Sequence, residues 1–109
     1  MIDTSIVIPT YRRPDDLART IDSVLTQQGI ATSFEILVVD NDPDGSAQPV
    51  VRVIAAHNSV PIRYVHEKRP GISHARNTGV ARAAGRYLAF LDDDEQADLV
   101  IDDPFADRG

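Results

Sequence analysis

Tyr87-Leu88-Ala89-Phe90-Leu91-Asp92-Asp93-Asp94 sets five apolar residues directly before three carboxylates. An apolar run of this length predicts a buried strand. Three adjacent carboxylates at a strand end repel one another and call for compensation. A divalent cation with a diphosphate ligand supplies it, because hard cations take oxygen ligands and bridge carboxylate to phosphate. Side chains alternate along an extended chain, so Asp92 and Asp94 face one way and Asp93 the other. Oxygen donors alone suit magnesium or manganese. The competing reading is a solvated acidic loop, and the rest of the chain decides between the two.

The preceding residues alternate strand and helix signals. Ser5 to Ile8 is a short β-rich run stopped by Pro9. Pro14 opens a helix with Asp15 and Asp16 in its first turn, where carboxylates suit the positive end of the dipole. Leu17, Ile21, Val24 and Leu25 share one face of that helix, and Gly29 suits its stop. Phe34 to Val39 is a second buried strand, ending at Asp40, followed by the loop composition of residues 41–46. A weaker helix is expected over about Ala47 to Ala56, and a third strand over Ile62 to Val65. Ser73 is expected to cap a helix running to about Ala84, with Gly85 as its stop and Ala75 and Gly79 as a small-residue face. Strands alternating with helices predict a parallel α/β sheet with right-handed crossovers.

In such sheets ligands bind outside the carboxyl ends of the strands. Three unusual polar groups fall there: Thr10-Tyr11-Arg12, Asp40-Asn41-Asp42 and Asp92-Asp93-Asp94. Their coincidence tips the acidic triplet toward a ligand site. A carboxylate at Asp40 can accept hydrogen bonds from a nucleobase or a ribose, or cap the turn that follows it. Arg76 stands near a helix start, the unfavourable end for a cation, which calls for an acidic side chain or a phosphate as partner.

Composition narrows the classes. The chain has 109 residues, 42% hydrophobic, with a net charge of −6, which argues against general nucleic-acid binding. There is no cysteine, so disulfides and thiolate metal sites are excluded. His57, His66 and His74 have no metal-binding spacing, and neither a G-x-G-x-x-G nor a P-loop pattern occurs. Thr10 and Ser73 have no convincing base partner, so no nucleophile triad is expected. From Asp92 onward eight acidic residues stand against one base, Arg108.

Four motifs together resemble glycosyltransferase family 2: Ser5-Ile6-Val7-Ile8-Pro9-Thr10-Tyr11-Arg12-Arg13-Pro14, Glu35 to Asn41, Gly71 to Gly79, and Phe90 to Asp94. The resemblance implies a Rossmann-like GT-A fold, here truncated after the fourth strand. Residues 1–95 would be an incomplete donor-binding domain and residues 96–109 an atypical acidic tail. It further implies inverting transfer of a sugar from a nucleoside-diphosphate donor, with UDP expected, to a saccharide or other acceptor hydroxyl. By that likeness Pro9, Thr10, Tyr11 and Arg12 line the nucleotide pocket, Asp40 holds the base, and Arg76 approaches base or phosphates. Asp93 meets the ribose or donor sugar, while Asp92 and Asp94, as the DXD motif, hold magnesium or manganese. The general base is expected outside this chain. The alternatives are a non-catalytic nucleotide-binding remnant, or a phosphoacceptor or phosphatase-like domain using Asp40 or Asp92 as nucleophile. Half a sheet leaves an edge uncovered, so self-association is expected. The expected location is cytoplasmic, at the inner membrane face in a longer form.

Overall fold

Two central strands buried on both faces and a one-sided apolar stripe on the first helix assemble a layered α/β unit. The computed structural model describes residues 2–26 and 33–93. In chain order these form β1 (Thr4–Thr10), α1 (Pro14–Thr26), β2 (Phe34–Asp40), α2 (Gln48–Ala56), β3 (Ile62–His66), α3 (Ile72–Arg82) and β4 (Tyr87–Phe90). The four strands are parallel, in the order β3-β2-β1-β4. The expected parallel α/β architecture is therefore present. The expected helix stop at Gly29, Asp94 and the acidic tail lie outside the described residues.

The two faces of the sheet are covered differently. Ile6, Ile8, Ile36 and Val38 pack against Leu17, Ile21 and Val24 of α1 and against Ala47 and Val51 at α2. Each fully buried aliphatic side chain of this kind contributes on the order of 1.5–3 kcal/mol. On the other face Val7, Leu37 and Val39 meet Ala75 of α3. A Cβ at Gly79 would sit 2.5 Å from Val7 Cγ1, so α3 lies close to β1 on a small-residue stripe.

Strand order steps outward from β1 to β3. The chain then returns through α3, on the opposite face, to β4 on the far side of β1. The reversal puts a topological switch point between β1 and β4, and a crevice opens there at the carboxyl ends. Among the described residues no helix is long and apolar enough to cross a membrane.

Several local expectations change. Strand β4, expected to be buried, is covered on one face only and leaves Leu88 and Phe90 exposed. Helix α3 ends at Arg82 with Ala83 as its C-cap, ahead of the expected stop at Gly85. Strand β1 runs through Pro9 to Thr10 instead of stopping. Val7 turns its carbonyl to β4, accepting from the Leu91 N–H at 3.0 Å, whereas Thr10 turns its carbonyl to the Asn41 N–H at 2.8 Å. Pro9 shares the direction of Val7, toward β4 beyond its last paired residue, Phe90, so its missing N–H costs no ladder bond. The N-cap of α3 is Gly71, not Ser73. Gly71 turns the chain at φ 115°, a conformation that suits glycine, and this places Ser73 inside the first helical turn.

The amino end of the sheet is closed by a carboxylate. Glu35 is fully buried. It accepts from Arg63 Nε (2.7 Å), Arg63 NH2 (3.1 Å), the Ser5 hydroxyl (2.6 Å) and the Ala84 N–H (2.8 Å). Burial pushes the carboxyl upward, but the bonds from Arg63, Ser5 and Ala84 outweigh it and hold it below its ordinary value. Ser5 also accepts from the Gly85 N–H at 2.8 Å, so the α3–β4 connection is tied to the sheet.

Candidate functional site

At the carboxyl end, the crevice widens into an open cavity of about 580 Å³. Pro9, Thr10 and Tyr11 line one side, and Pro70, Gly71 and Ile72 the other. Asn41, Arg13, Asp92 and Asp93 complete the polar lining.

Asp93 joins β4 to β1 and α1. Its Oδ2 accepts from the Thr10 hydroxyl (3.0 Å) and the Tyr11 N–H (3.4 Å), and its Oδ1 lies 3.9 Å from Arg13 NH1. Its carbonyl accepts from the Thr20 hydroxyl at 2.8 Å. Asp92 is the exposed carboxylate of the pair and lines the cavity.

Asp40 is placed differently. It is fully buried and does not line the cavity. Its Oδ1 accepts from the Asp42 N–H at 3.0 Å. Its Oδ2 accepts from the Ala47 N–H (3.0 Å) and the Tyr64 hydroxyl (2.8 Å). Burial, then this bond to Asp40, push the Tyr64 phenol well above its ordinary value. Asp40 thus organises the β2–α2 loop, and its enclosure rules it out as a phosphoacceptor nucleophile.

The two neighbouring arginines diverge. Arg12 adopts a left-handed backbone, φ 54°, uncommon for a residue with a side chain. Its guanidinium turns to the β2–α2 loop, donating to Asp42 at 3.1 Å, lying 3.8 Å from Asp44, and stacking 5.1 Å over the Tyr11 ring. The nearby Ser46 hydroxyl, with hydrogen bonds from the Asp44 N–H and Arg12, lowers the Asp42 carboxyl to about 2. Arg13, in contrast, lines the cavity. Arg76 is exposed on α3 and rests 5.9 Å over the Phe90 ring, off the cavity lining.

Of the residues expected from sequence, Pro9, Thr10, Tyr11, Asp92 and Asp93 come together at the cavity. Arg12, Asp40 and Arg76 stand around it, and Asp94 is outside the described residues. Arg13 and Asn41 also reach the lining, Asn41 from the polar group after β2 and Arg13 without an expected role. The Arg12-Arg13 pair marked the position, but only the backbone turn at Arg12 determines which of the two faces the cavity.

The fit to a divalent cation follows from the donor set. Among the described residues no group of three metal-ligating side chains is gathered. Asp92 and Asp93 both line the cavity, and Asp93 is also bonded to Thr10 and Tyr11. This suits a hard cation that takes one or two protein carboxylates and completes its shell with ligand phosphate oxygens and water.

Comparison with known proteins agrees with this architecture. The model of the family described as Glycosyl transferase family 2 matches residues 5–99. A glycosyltransferase of Rickettsia felis is 39% identical over 92 residues, covering 84% of this chain and 14% of its own length. The succinoglycan biosynthesis protein ExoM of Rhizobium meliloti is 38% identical over 91 residues, covering 83% of this chain and 29% of its own length. Among solved structures, the mannosyltransferase PcManGT of Pyrobaculum calidifontis, in complex with GDP-Man and Mn2+, superposes with TM-score 0.74 at 26% identity. That match covers 84% of this chain and 27% of that one. S. aureus TarS 1-349 in complex with UDP-GlcNAc gives TM-score 0.65 at 25% identity, covering 85% and 27% of the two chains. The likeness supports a GT-A-type fold. The chain spans roughly a seventh to a third of the length of these relatives and structures.

Proposed function

Because this chain belongs to glycosyl transferase family 2, we propose that its cavity binds the nucleoside-diphosphate part of a sugar donor. The observation that carries the reading is the position of the cavity: at the β1/β4 switch point, with Pro9, Thr10 and Tyr11 facing Asp92 and Asp93. Complexes of the structural neighbours with GDP-Man and with UDP-GlcNAc support a nucleotide sugar as the ligand class. UDP is the nucleotide we propose for this chain.

The apolar faces of Pro9, Tyr11 and Ile72 would flank the nucleoside, and Asn41 supports the wall opposite β1. Arg13 faces the diphosphate and shares its charge with Asp93. Asp92 would hold magnesium or manganese, with Asp94 as the further carboxylate of the motif. The cation, when bound, neutralises charge on the leaving diphosphate. The proposed reaction is direct displacement at the anomeric carbon. The acceptor hydroxyl gives its proton to a base, its oxygen bonds the anomeric carbon as the bond to the diphosphate breaks, the nucleoside diphosphate leaves, and the configuration inverts. No described residue is assigned as the general base.

Calorimetric titration of the chain with UDP and with GDP, each with and without magnesium, tests the reading. Saturable UDP binding that requires magnesium and is lost in Asp92→Asn is the expected result. No binding of either nucleotide to the folded chain contradicts it. Self-association is also part of the proposal. Leu88 and Phe90 are exposed on β4, and Ile72 and Val80 are exposed on α3. A monomer at all concentrations in sedimentation experiments would reject it.

A further inference from the structure

We propose that Glu67 is a positioning residue of the nucleotide cavity, acting with Asn41 to hold the 67–71 loop and the start of α3. The proposal rests on the donor-site reading above. Glu67 follows β3 directly, is 7% exposed, and is not on the cavity lining. Its carboxylate accepts from the Arg69 N–H (3.0 Å), Arg69 Nε (3.2 Å), Arg69 NH2 (2.7 Å) and the Thr78 hydroxyl. One side chain therefore spans the loop and reaches the second turn of α3. Bonds from Arg69 and Thr78 hold the carboxyl well below its ordinary value, so it is ionised and fully engaged.

Asn41 holds the same loop from the β2 side. Its Nδ2 donates to the carbonyls of Glu67 and Arg69, both at 2.8 Å, and its Oδ1 accepts from the Gly71 N–H at 3.1 Å. The Glu67 N–H in turn donates to the Asp40 carbonyl at 2.8 Å. What these bonds hold is the cavity wall of Pro70, Gly71 and Ile72. Gly71 sits at φ 115° with open space around a Cβ position, so the turn depends on backbone conformation, not on packing. A wall with so little packing of its own needs the clamp to keep its shape. A wall displaced by an ångström no longer matches a rigid nucleotide.

A residue that only supports the fold lowers the melting temperature and leaves the affinity of the folded protein unchanged. A positioning residue lowers affinity well below the melt. The test compares wild type with Glu67→Ala, Glu67→Gln and Thr78→Val. It reads UDP affinity with magnesium by calorimetry and amide exchange at Gly71 and Ile72, both far below melting. Glu67→Ala is expected to weaken UDP about tenfold and to speed exchange at both amides, from the loss of charge-assisted bonds. Glu67→Gln, which keeps the volume and part of the bonding, is expected to recover part of the affinity, with Thr78→Val between the two. Unchanged affinity in a folded Glu67→Ala protein overturns the proposal, as does unchanged exchange at Gly71 and Ile72. If Glu67→Ala does not fold, the other two variants decide by the same criteria. A wild type that binds no nucleotide overturns the donor reading and this proposal with it. Wild-type binding with no loss in any variant overturns this proposal alone.

Discussion

The two ends of the sheet both carry carboxylates, in opposite circumstances. At the amino end Glu35 meets Arg63, Ser5 and Ala84 and is sealed from solvent. At the carboxyl end Asp93 is bonded to Thr10 and Tyr11 on one side and borders an open cavity on the other, beside the exposed Asp92. A carboxylate enclosed by its own chain acts on the fold. One that borders a cavity stands within reach of a ligand. Asp40 shows that position along the strand does not separate the two. It stands at a carboxyl end, yet its oxygens are taken by Asp42, Ala47 and Tyr64.

Deleting the carboxylate of the sealed end is the most severe way to break this contrast. Glu35→Ala leaves the Arg63 guanidinium, the Ser5 hydroxyl and the Ala84 N–H without their shared acceptor. With Arg63 partly solvated, the expected loss is about 3 kcal/mol. That lowers the melting temperature by roughly 10–20 °C, read by circular dichroism, with UDP affinity of the folded protein unchanged. Next is Gly85→Ala at the same end. Its Cβ would lie 2.6 Å from the Ser5 nitrogen and 2.7 Å from the Thr4 carbonyl carbon, backbone atoms that cannot step aside. A loss of about 2 kcal/mol is expected by denaturant melting.

Much of this molecule is legible in its sequence, for physical reasons. The apolar runs of β1 and β2 signal strands covered on both faces. The small residues Ala75 and Gly79 signal the close approach of α3. The carboxyl-terminal clustering of polar residues signals the cavity. The roles of Glu35 and Glu67 are not legible. A lone Glu in an apolar strand reads as an interruption until the topology brings Arg63 beside it from β3. The partners of Asn41 are backbone groups of a distant loop, which no residue pattern records. The turn of Arg12 away from the cavity follows from one backbone angle.

Acid sharpens the comparison by acting on both ends. Asp42 is lowered from 3.8 to about 2, and Glu35 and Glu67 lie below their ordinary 4.5. Folded values below the unfolded ones mean that the unfolded chain binds more protons in this range. The stabilisation is therefore complete above the unfolded values and is lost as pH falls through the folded ones. The melting temperature should be level above about pH 5 and fall steadily below about pH 4. Glu35→Gln, less stable at neutral pH, should show a shallower acid decline. The smallest effect on folding belongs to the open end. Asp92→Asn should change stability by no more than about 0.5 kcal/mol in either direction by thermal melting. A large loss there would place Asp92 with the structural carboxylates.

The most direct test of the central claim is a two-dimensional amide NMR spectrum of the chain titrated with UDP, with and without magnesium. Shifts are expected at Tyr11, Arg13, Asn41, Gly71, Asp92 and Asp93 when both are present, with Glu35 and Ala84 at the amino end unmoved. A second hollow, between α1 and α2, is lined by Leu25, Val53 and Ile54. Shifts centred there, or a folded spectrum indifferent to UDP and magnesium together, would contradict the assignment.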